Sequence, residues 1–370
     1  MIRDSALAGK SVLLTGATGL IGGELLRRLL SLGPAGPRSL YCLVRAQAMD
    51  SNRQTLIRRL GVSDRPELCD RLFPIVGDLR DRSLGISMSV AALLRQQVDI
   101  VIHCAAVTSF NRTRACEEVN VGGLTHLLNL IATFDRPPLF VFVSSAAACG
   151  KRQGECLDED DYPRAADDHY VHYSKTKAVA EALLREQTAT REWLIVRPTI
   201  VLPDNVPDQH LARGLIWSLA LMRDISCLPI RSSARIDAVP LSFVGECIVR
   251  LIARPDRKHN CYHISSGEPQ AAIWRDVLAL ISDVYGRDLR CCEPSEWPSR
   301  KKALTLHERR LAGLVACYLP FINQDVVFAN DRLTEALGAE IPPCPHYASY
   351  LPQLLKRMSF EDALVGSRDP

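Results

Sequence analysis

No Cys-x-x-Cys occurs in the 370 residues, although thirteen cysteines are present, and the only adjacent pair is Cys291-Cys292. An odd set without metal-ligand spacing excludes a disulfide framework and a zinc site, so no metal is expected. Reduced, mostly buried thiols of a cytoplasmic protein are the expectation instead. Basic runs interleaved with aromatics are also missing, aromatics are only 6%, and the formal charge is only +3, which excludes nucleic acid as a partner. The longest apolar run near the end, Leu311 to Ile322, is too short to span a bilayer and contains Pro320. It leaves the lining of a greasy pocket, or a peripheral contact with a membrane surface, open. Met1 to Lys10 is polar and runs directly into a strand, with no room for a secretory h-region. There is no internal repeat and no low-complexity run.

What is present is a chain 47% hydrophobic and 24% charged. It is long enough to bury about three quarters of its unfolded surface. Short apolar runs read as strands at Val12 to Thr15, Ser39 to Val44, Phe73 to Val76, Ile100 to His103, Phe140 to Val143 and Leu194 to Arg197. Helical patterns alternate with them at Leu20 to Leu32, around Gln54 to Leu60, Ala91 to Gln97, Arg114 to Phe134 and Asp168 to Gln187. Strand and helix in alternation predict an α/β fold, a Rossmann-type doubly wound parallel sheet covered on both faces. From Val201 the rhythm changes. Pro203, Pro207, Pro229 and Pro240 punctuate a segment with an apolar helix, Leu211 to Met222, and an extended stretch, Ala234 to Val239. Helix Ser242 to Ala253 and strand Tyr262 to Ser265 look like a return to the sheet. The expected organisation is therefore a dinucleotide-binding domain, residues 1–200 with 239–265 returning to it, and a smaller, mostly helical C-terminal substrate-binding region, residues 201–238 and 266–370. That region carries one further extended piece, Val326 to Ala329.

In such a sheet all strand ends open on the carboxyl edge, where ligands bind. The first strand breaks into Gly16-Ala17-Thr18-Gly19-Leu20-Ile21-Gly22 before a helix. Glycines at 16, 19 and 22 permit a tight turn, close approach of backbone N–H groups to a pyrophosphate, and close helix packing. The second strand ends on Arg45, where a NAD-preferring site carries an acid for the ribose 2′-hydroxyl. Arginine suits a 2′-phosphate, so NADPH is the expected cofactor. Asp78, in Gly77-Asp78-Leu79, is placed to accept a hydrogen bond from an adenine amino group. Ala105 and Ala106 end another strand and leave space for a ribose. Asn120 lies near the start of the long central helix, Ser145 at the end of a strand, and Pro198-Thr199 after the next one.

Helix His172 to Leu184 puts Tyr173 and Lys177 four residues apart on one face. A cation within about 4 to 6 Å favours the phenolate and draws a tyrosine pKa down from near 10, which would make the phenol a proton donor at neutral pH. Other reactive types carry weaker signals. Cys149 and Cys156 follow Ser145, but nothing nearby marks a thiolate, so buried packing is expected. His169 and His172 flank Tyr173 without metal-site spacing. Asp158-Glu159-Asp160-Asp161 reads as a solvated loop beside the cleft.

Together these residues resemble the extended short-chain dehydrogenase/reductase superfamily. Thr15 to Gly22, Cys42 to Arg45, Val101 to Asn111, Asn120-Val121-Gly122 and Arg197-Pro198-Thr199-Ile200 resemble its branch of fatty acyl-CoA reductases and thioester reductase domains. The likeness covers roughly residues 10 to 265, and extends weakly to Val327-Phe328-Ala329-Asn330 with Arg332-Leu333. It departs from the branch at Leu20-Ile21, where an aromatic followed by leucine is more common, and at the three alanines after Ser145. The resemblance implies Ser145, Tyr173 and Lys177 as a catalytic triad with Asn120 as helper. Gly16, Thr18, Gly19, Leu20, Ile21 and Gly22 then form the pyrophosphate turn and Arg45 the 2′-phosphate contact. Asp78 with Leu79 would form the adenine pocket, and Ala105 with Ala106 the ribose contact shared with Lys177. Pro198 and Thr199 would lie under the nicotinamide.

The expected reaction is hydride transfer from NADPH to the carbonyl of an acyl thioester, on CoA or an acyl carrier protein, giving aldehyde or alcohol. The apolar stretches 211 to 222 and 311 to 322 either line an acyl tunnel or form plain core. The alternatives are a sugar-nucleotide epimerase or dehydratase, a sterol-type alcohol dehydrogenase, and a non-catalytic NADP-binding sensor. Against the sugar enzymes stand Arg45 and Ile200-Val201-Leu202-Pro203, which lacks their Tyr-Gly-Pro continuation. A sensor would have lost the tyrosine or the lysine. A homodimer is left open.

Overall fold

The computed structural model describes residues 6–45, 57, 70–161, 168–187, 192–204 and 215–358. Strands β1 (Ser11–Thr15), β2 (Ser39–Val44), β3 (Leu72–Val76), β4 (Ile100–His103), β5 (Leu139–Val143), β7 (Trp193–Pro198) and β12 (Cys261–Ile264) form one seven-stranded sheet. Its order is β12-β7-β5-β4-β1-β2-β3, and every pairing is parallel. The order reverses between β1 and β4, which makes their carboxyl ends the switch point where a crevice opens. The central strand, Ser-Val-Leu-Leu-Thr, is buried along its whole length, as a strand covered on both faces must be.

Helix α1 (Leu20–Ser31) lies on one face, where Leu25, Leu26, Leu29 and Leu30 are fully buried. This spacing of three and four residues makes one apolar stripe. On the other face lie α2 (Met88–Gln97), the composite helix α3 and α4 (His172–Gln187). Helix α3 runs from Thr113–Cys116 through a π-helical turn, Glu117–Gly122, into Gly123–Ile131. The expected helix Arg114 to Phe134 is thus present with a wider turn in it, and π-turns inside helices cluster at functional sites. The expected helix around Gln54 to Leu60 lies, apart from Ile57, outside the described residues.

The second half of the chain adds β8 (Ile200–Leu202), α5 (Leu215–Met222), β9 (Cys227–Leu228), β10 (Arg235–Ile236), β11 (Ala238–Pro240), α6 (Leu241–Ile252), β13 (Ala272–Ile273) and α7 (Trp274–Tyr285). Helix α6 packs on α1 so closely that a Cβ on Gly245 would lie 2.6 Å from Glu24 Cγ. Beyond α7 come β14 (Arg290–Cys291), short helices α8 (Trp297–Ala303), α9 (Leu306–Val315) and α10 (Leu319–Ile322), then β15 (Val327–Phe328), α11 (Asp331–Leu337) and α12 (Tyr347–Arg357). A separate core forms here around the fully buried Trp274, whose Nε1 donates to Ile322 O at 3.1 Å. Two long-range links bring this half to the sheet edge. Strand β15 pairs with β6 (Cys156–Leu157), Val327 opposite Cys156, and β11 pairs with β8. The loop that follows Ser145 is therefore bound to a strand about 170 residues later.

Among the described residues no helix is long and apolar enough to cross a membrane.

Candidate active site

At the switch point the glycine turn fits against the end of β4. Gly16 has φ +76°, and a Cβ there would lie 2.5 Å from Ala105 N; one on Gly22 would lie 2.1 Å from Gly16 O. Only glycine satisfies both contacts. At Gly19 the sole neighbour is Gly16 O at 3.2 Å, so the outer side of the turn is open. Helix α1 starts there with no side-chain cap and no acidic residue in its first turn. Unsatisfied amides at the positive end of a twelve-residue helix suit a pyrophosphate. Thr18, Leu20 and Ile21 are half-buried beside it. Leu20 packs against the C-terminal core and Ile21 against the core under α1, so the turn also joins the two halves.

Arg45 is exposed at the end of β2, one strand away. Asp78 lies near it, but its partner is Arg80, a residue that no sequence pattern singled out. The Asp78 carboxylate accepts from Arg80 N at 2.9 Å and from Arg80 Nε at 3.1 Å. That hydrogen bonding holds the Asp78 carboxyl below its ordinary range against some desolvation, with the Arg45 charge a lesser influence. Arg45 and Arg80 thus both act on the Asp78 carboxylate at this end of the sheet. Leu79 is buried against Gly123, and Ala105 and Ala106 are half-buried at the β4 end. The donor set and the open turn fit a nicotinamide adenine dinucleotide.

Ser145 caps a short turn at the end of β5, where its Oγ accepts from Ala147 N at 3.2 Å. Its side chain also faces the Tyr173 hydroxyl closely enough to lower that phenol. Those two groups are brought together as expected, but the tuning is not. Burial pushes the Tyr173 phenol up to about 12, against the lowering from Ser145. The reason is the direction of Lys177. Its Nζ donates to Val143 O at 2.8 Å and lies 4.7 Å over the Phe142 ring. Lys177 is itself buried, and desolvation brings it down to about 8. The expectation of a phenol drawn toward neutrality by this lysine is corrected: desolvation wins for both groups.

Asn120 lies in the π-turn and is 2% exposed. Its Oδ1 accepts from Val107 N at 2.8 Å, while Nδ2 donates to Val107 O at 3.0 Å and to Thr176 Oγ1 at 2.9 Å. It therefore ties α3 and the β4 loop to α4, between Tyr173 and Lys177. One turn further on, the fully buried Glu181 holds the same helix to the sheet. It accepts from Arg197 Nη2 at 2.8 Å, Arg197 Nε at 3.0 Å and Ser144 Oγ at 2.5 Å. Glu181 and Arg197 had no distinguishing spacing in the sequence.

Beyond Ser145 lies a cleft with about 510 Å³ of empty space. Its walls come from Thr199 and Ile200, from Ile236 and Asp237, and from Phe321, Ile322, Val326 and Phe328. Arg235 and Asp325 also line it and pair with each other, Nε to Oδ1 at 3.0 Å. Pro198 is buried behind Thr199. Of the two stretches that either line a tunnel or form core, the described residues divide between core and surface, with Gly313, Leu314, Ala316 and Pro320 exposed. Leu219 to Met222 and Leu311, Ala312 and Val315 are at most 5% exposed around Trp274, and only Phe321 and Ile322 reach the cleft. Residues 211–214 lie outside the described ones. Phe110, from the β4 loop, packs against Tyr318 with the rings tilted by 41° and their centroids 4.7 Å apart, and joins the aromatic edge of this region.

The neighbouring reactive groups sort by burial. Cys149 is buried and pushed up to about 12, as packing predicts. Cys156 is exposed, contrary to expectation, because β6 lies on the surface, and desolvation still raises it. His169 Nδ1 meets Ser174 Oγ at 3.1 Å, and His172 Nε2 is 3.0 Å from Glu117 Oε1. The acidic run is not uniformly solvated: Glu159 is 2% exposed, and burial raises it to about 7. Its flanks are paired outward, Asp160 with Arg332 and Asp161 with Arg152. Among the described residues no group of His, Cys, Asp and Glu could hold a metal ion.

A parallel sheet with a glycine turn at the switch point, a Ser at a neighbouring strand end and Tyr and Lys on the helix beside it, defines an extended short-chain dehydrogenase/reductase. Residues 14–248 match the family described as Male sterility protein, an NAD-binding family, and the chain belongs to it. It falls in the superfamily's branch of fatty acyl-CoA reductases and thioester reductase domains. A linear gramicidin synthase polypeptide of Brevibacillus parabrevis is 28% identical over 299 residues, 78% of this chain and 6% of that protein. Fatty acyl-CoA reductase 1 of Xenopus laevis is 30% identical over 224 residues, 52% of this chain and 43% of that protein. The chain thus spans under half the length of either curated relative. The crystal structure of the terminal R domain from the myxalamid PKS-NRPS biosynthetic pathway aligns with a TM-score of 0.80 and 25% identity, covering 95% of this chain and 91% of that one.

Proposed function

We propose that this protein is an NADPH-dependent reductase of acyl thioesters, carried on CoA or on a carrier protein. The observation that carries the reading is the Ser145–Tyr173 hydroxyl pair at the mouth of a mixed apolar cleft, beside an open glycine turn. Bound NADPH supplies a hydride. Around the reacting carbonyl, Ser145 and Tyr173 donate hydrogen bonds to the oxygen, and Tyr173 gives up its proton as negative charge develops there. With its phenol at about 12, Tyr173 stays protonated at neutral pH and is ready to donate. Lys177 would hold the ribose hydroxyls by turning from Val143 O, and its charge would then stabilise the tyrosinate left behind. Asn120 keeps α4 in register through Thr176. Addition to a thioester gives a hemithioacetal, which collapses to aldehyde and free thiol. Carrying the aldehyde on to a primary alcohol would take a hydride from a second NADPH and a second proton through Tyr173.

The cleft walls suit an acyl group, and the Arg235–Asp325 pair gives the cleft a charged side. Burying long alkyl chains against charged groups strips their hydration without return. Short or polar acyl groups are therefore favoured over long saturated ones.

The deciding experiment follows NADPH oxidation with acyl-CoAs, carrier-bound acyl groups, aldehydes and UDP-sugars, with products identified by mass. Turnover of thioesters to aldehyde or alcohol is the expected result, and turnover confined to another class overturns the reading. For the cofactor, Arg45→Ala is expected to weaken NADPH about 10-fold or more while sparing NADH, since a charged phosphate contact contributes roughly 1.5–3 kcal/mol. Equal losses for both cofactors in a fluorescence titration count against the 2′-phosphate contact.

A further inference from the structure

Asp237 sits between β10 and β11 on the wall of the cleft and is 3% exposed. Its carboxylate gathers three distant stretches of chain. Oδ1 accepts from Thr199 Oγ1 at 3.2 Å, from Ser266 N at 3.1 Å and from Ser266 Oγ at 3.0 Å. Oδ2 accepts from Phe328 N at 3.2 Å. Thr199 ends the segment assigned to the nicotinamide, and Phe328 is part of the acyl wall on β15. The same strand is fastened once more by Ser265 Oγ, which donates to Phe328 O at 2.8 Å.

Among the described residues no salt bridge to Asp237 occurs. A buried carboxylate without a cation is costly unless donors replace water around it. Here four donors do so, and burial still raises the group to about 6. Backbone bonds already join the Thr199 stretch to its neighbours, Ile200 N to Asp237 O at 3.2 Å and Thr199 N to Ile264 O at 3.1 Å, but neither of these reaches Phe328. A carboxylate offers something else, since when ionised it only accepts, and its two oxygens can hold donors from opposite sides at one fixed spacing.

We propose that Asp237 is a positioning residue that clamps Thr199 and Phe328 on one carboxylate and so sets the distance between the hydride donor and the acyl carbonyl. The proposal rests on the reductase reading above. A shift of about 1 Å between reacting groups costs on the order of 10²-fold in rate, so a clamp joining both sides of the reaction has that leverage. In Asp237→Asn the amide oxygen can keep Thr199 and Ser266, but the amide NH2 then opposes the Phe328 N–H. In Thr199→Val the hydroxyl bonds to Asp237 and to Ile264 O are lost while the backbone bonds and the Phe328 contact remain.

The test measures kcat, the primary isotope effect with 4-deuterated NADPH, melting temperature and amide exchange for both variants and their double. Each single variant is expected to lose roughly 10- to 100-fold in kcat and to show a larger isotope effect. Once one end is free, releasing the other adds little, so the double variant should lose clearly less than the product of the two singles. Thr199→Val should also speed amide exchange in residues 326–329, although its own hydroxyl contacts are to Asp237 and Ile264 O. Multiplicative losses, or a lower melting temperature with wild-type kcat and isotope effect, overturn the clamp. If no thioester oxidises NADPH, the reductase reading fails separately. Exchange then judges the clamp alone: unchanged protection of 326–329 in Thr199→Val overturns it.

Discussion

Glu181, bonded to Ser144, and Asp237, in the cleft that Ser145 lines, are both buried carboxylates, and they are kept in the protein in opposite ways. Glu181, on the nucleotide side, meets Arg197 in a two-pronged pair, and that guanidinium keeps its carboxyl below the ordinary range despite complete burial. Asp237, on the acyl side, has hydroxyl and amide donors only, and desolvation raises it. Glu159, under the strand that closes the acyl side, follows Asp237. The nucleotide side is thus built on charge neutralisation that locks α4 to β7. Its counterpart is built on hydrogen bonds that tie segments of different origin around a space. A rigid cofactor platform and a wall assembled from distant parts call for different devices.

The contrast can be broken at several points. The largest effect is expected from Tyr173→Phe, which removes the proton donor and leaves the ring. Turnover should fall about 10³-fold, or ~4 kcal/mol in activation free energy, with NADPH affinity nearly unchanged. A near-normal rate in steady-state assays would refute the donor role.

Next comes Glu181→Ala. It leaves Arg197 charged in the interior, which costs about 3–4 kcal/mol of stability at neutral pH, measurable as a shift in denaturant midpoint. The sign with pH follows from the lowered carboxyl: the stabilisation is present above the ordinary glutamate range and is lost as pH falls through the folded value. Wild type and variant should therefore converge in stability in acid. A constant gap down to low pH would show that packing, not the ion pair, carries the effect.

The smallest effect is the one that distinguishes the acyl side. Because Glu159 is raised from 4.5 to about 7, its protonated form is the one the fold favours. Its contribution is complete below pH 4.5 and is lost as pH rises toward 7. Glu159→Gln, neutral at every pH, should be more stable than wild type at pH 8 by ~1–2 kcal/mol. It should lose that advantage in chemical denaturation at pH 4. A destabilised variant at pH 8 would mean that Arg332 pairs productively with the Glu159 carboxylate.

How much could be read beforehand differs between the same two sides. Gly16, Gly19 and Gly22, Arg45, Ala105 and Ser145 all sit at ends of strands that apolar runs announce. The parallel rule then places those ends on one edge. Even there, the side-chain direction of Lys177 has no sequence signal. Its spacing from Tyr173 is local, but whether Nζ meets the phenol or Val143 O depends on burial beneath β5. Arg80 is hidden for a similar reason, since its pairing with Asp78 arises from a turn with no periodic signature. On the acyl side almost nothing was legible. The apolar stretch 211 to 222 could be read as lining or as core, and its residues Leu219 to Met222 are core, whereas Asp237, Arg235 and Asp325 look unremarkable and line the cleft.

The amino-acid sequence by itself determined the alternation of strand and helix, the glycine turn, the catalytic spacing and the branch of the superfamily. These rest on periodicities and steric demands within a few residues of one another. The tertiary structure alone decided the shape of the acyl cleft, the burial of Glu159 and the four-donor site at Asp237. Those depend on β15 pairing with β6 and on Thr199, Asp237, Ser266 and Phe328 meeting at one point. Contacts between segments tens to more than a hundred residues apart leave no local pattern, because the free energy that selects them belongs to the packed whole.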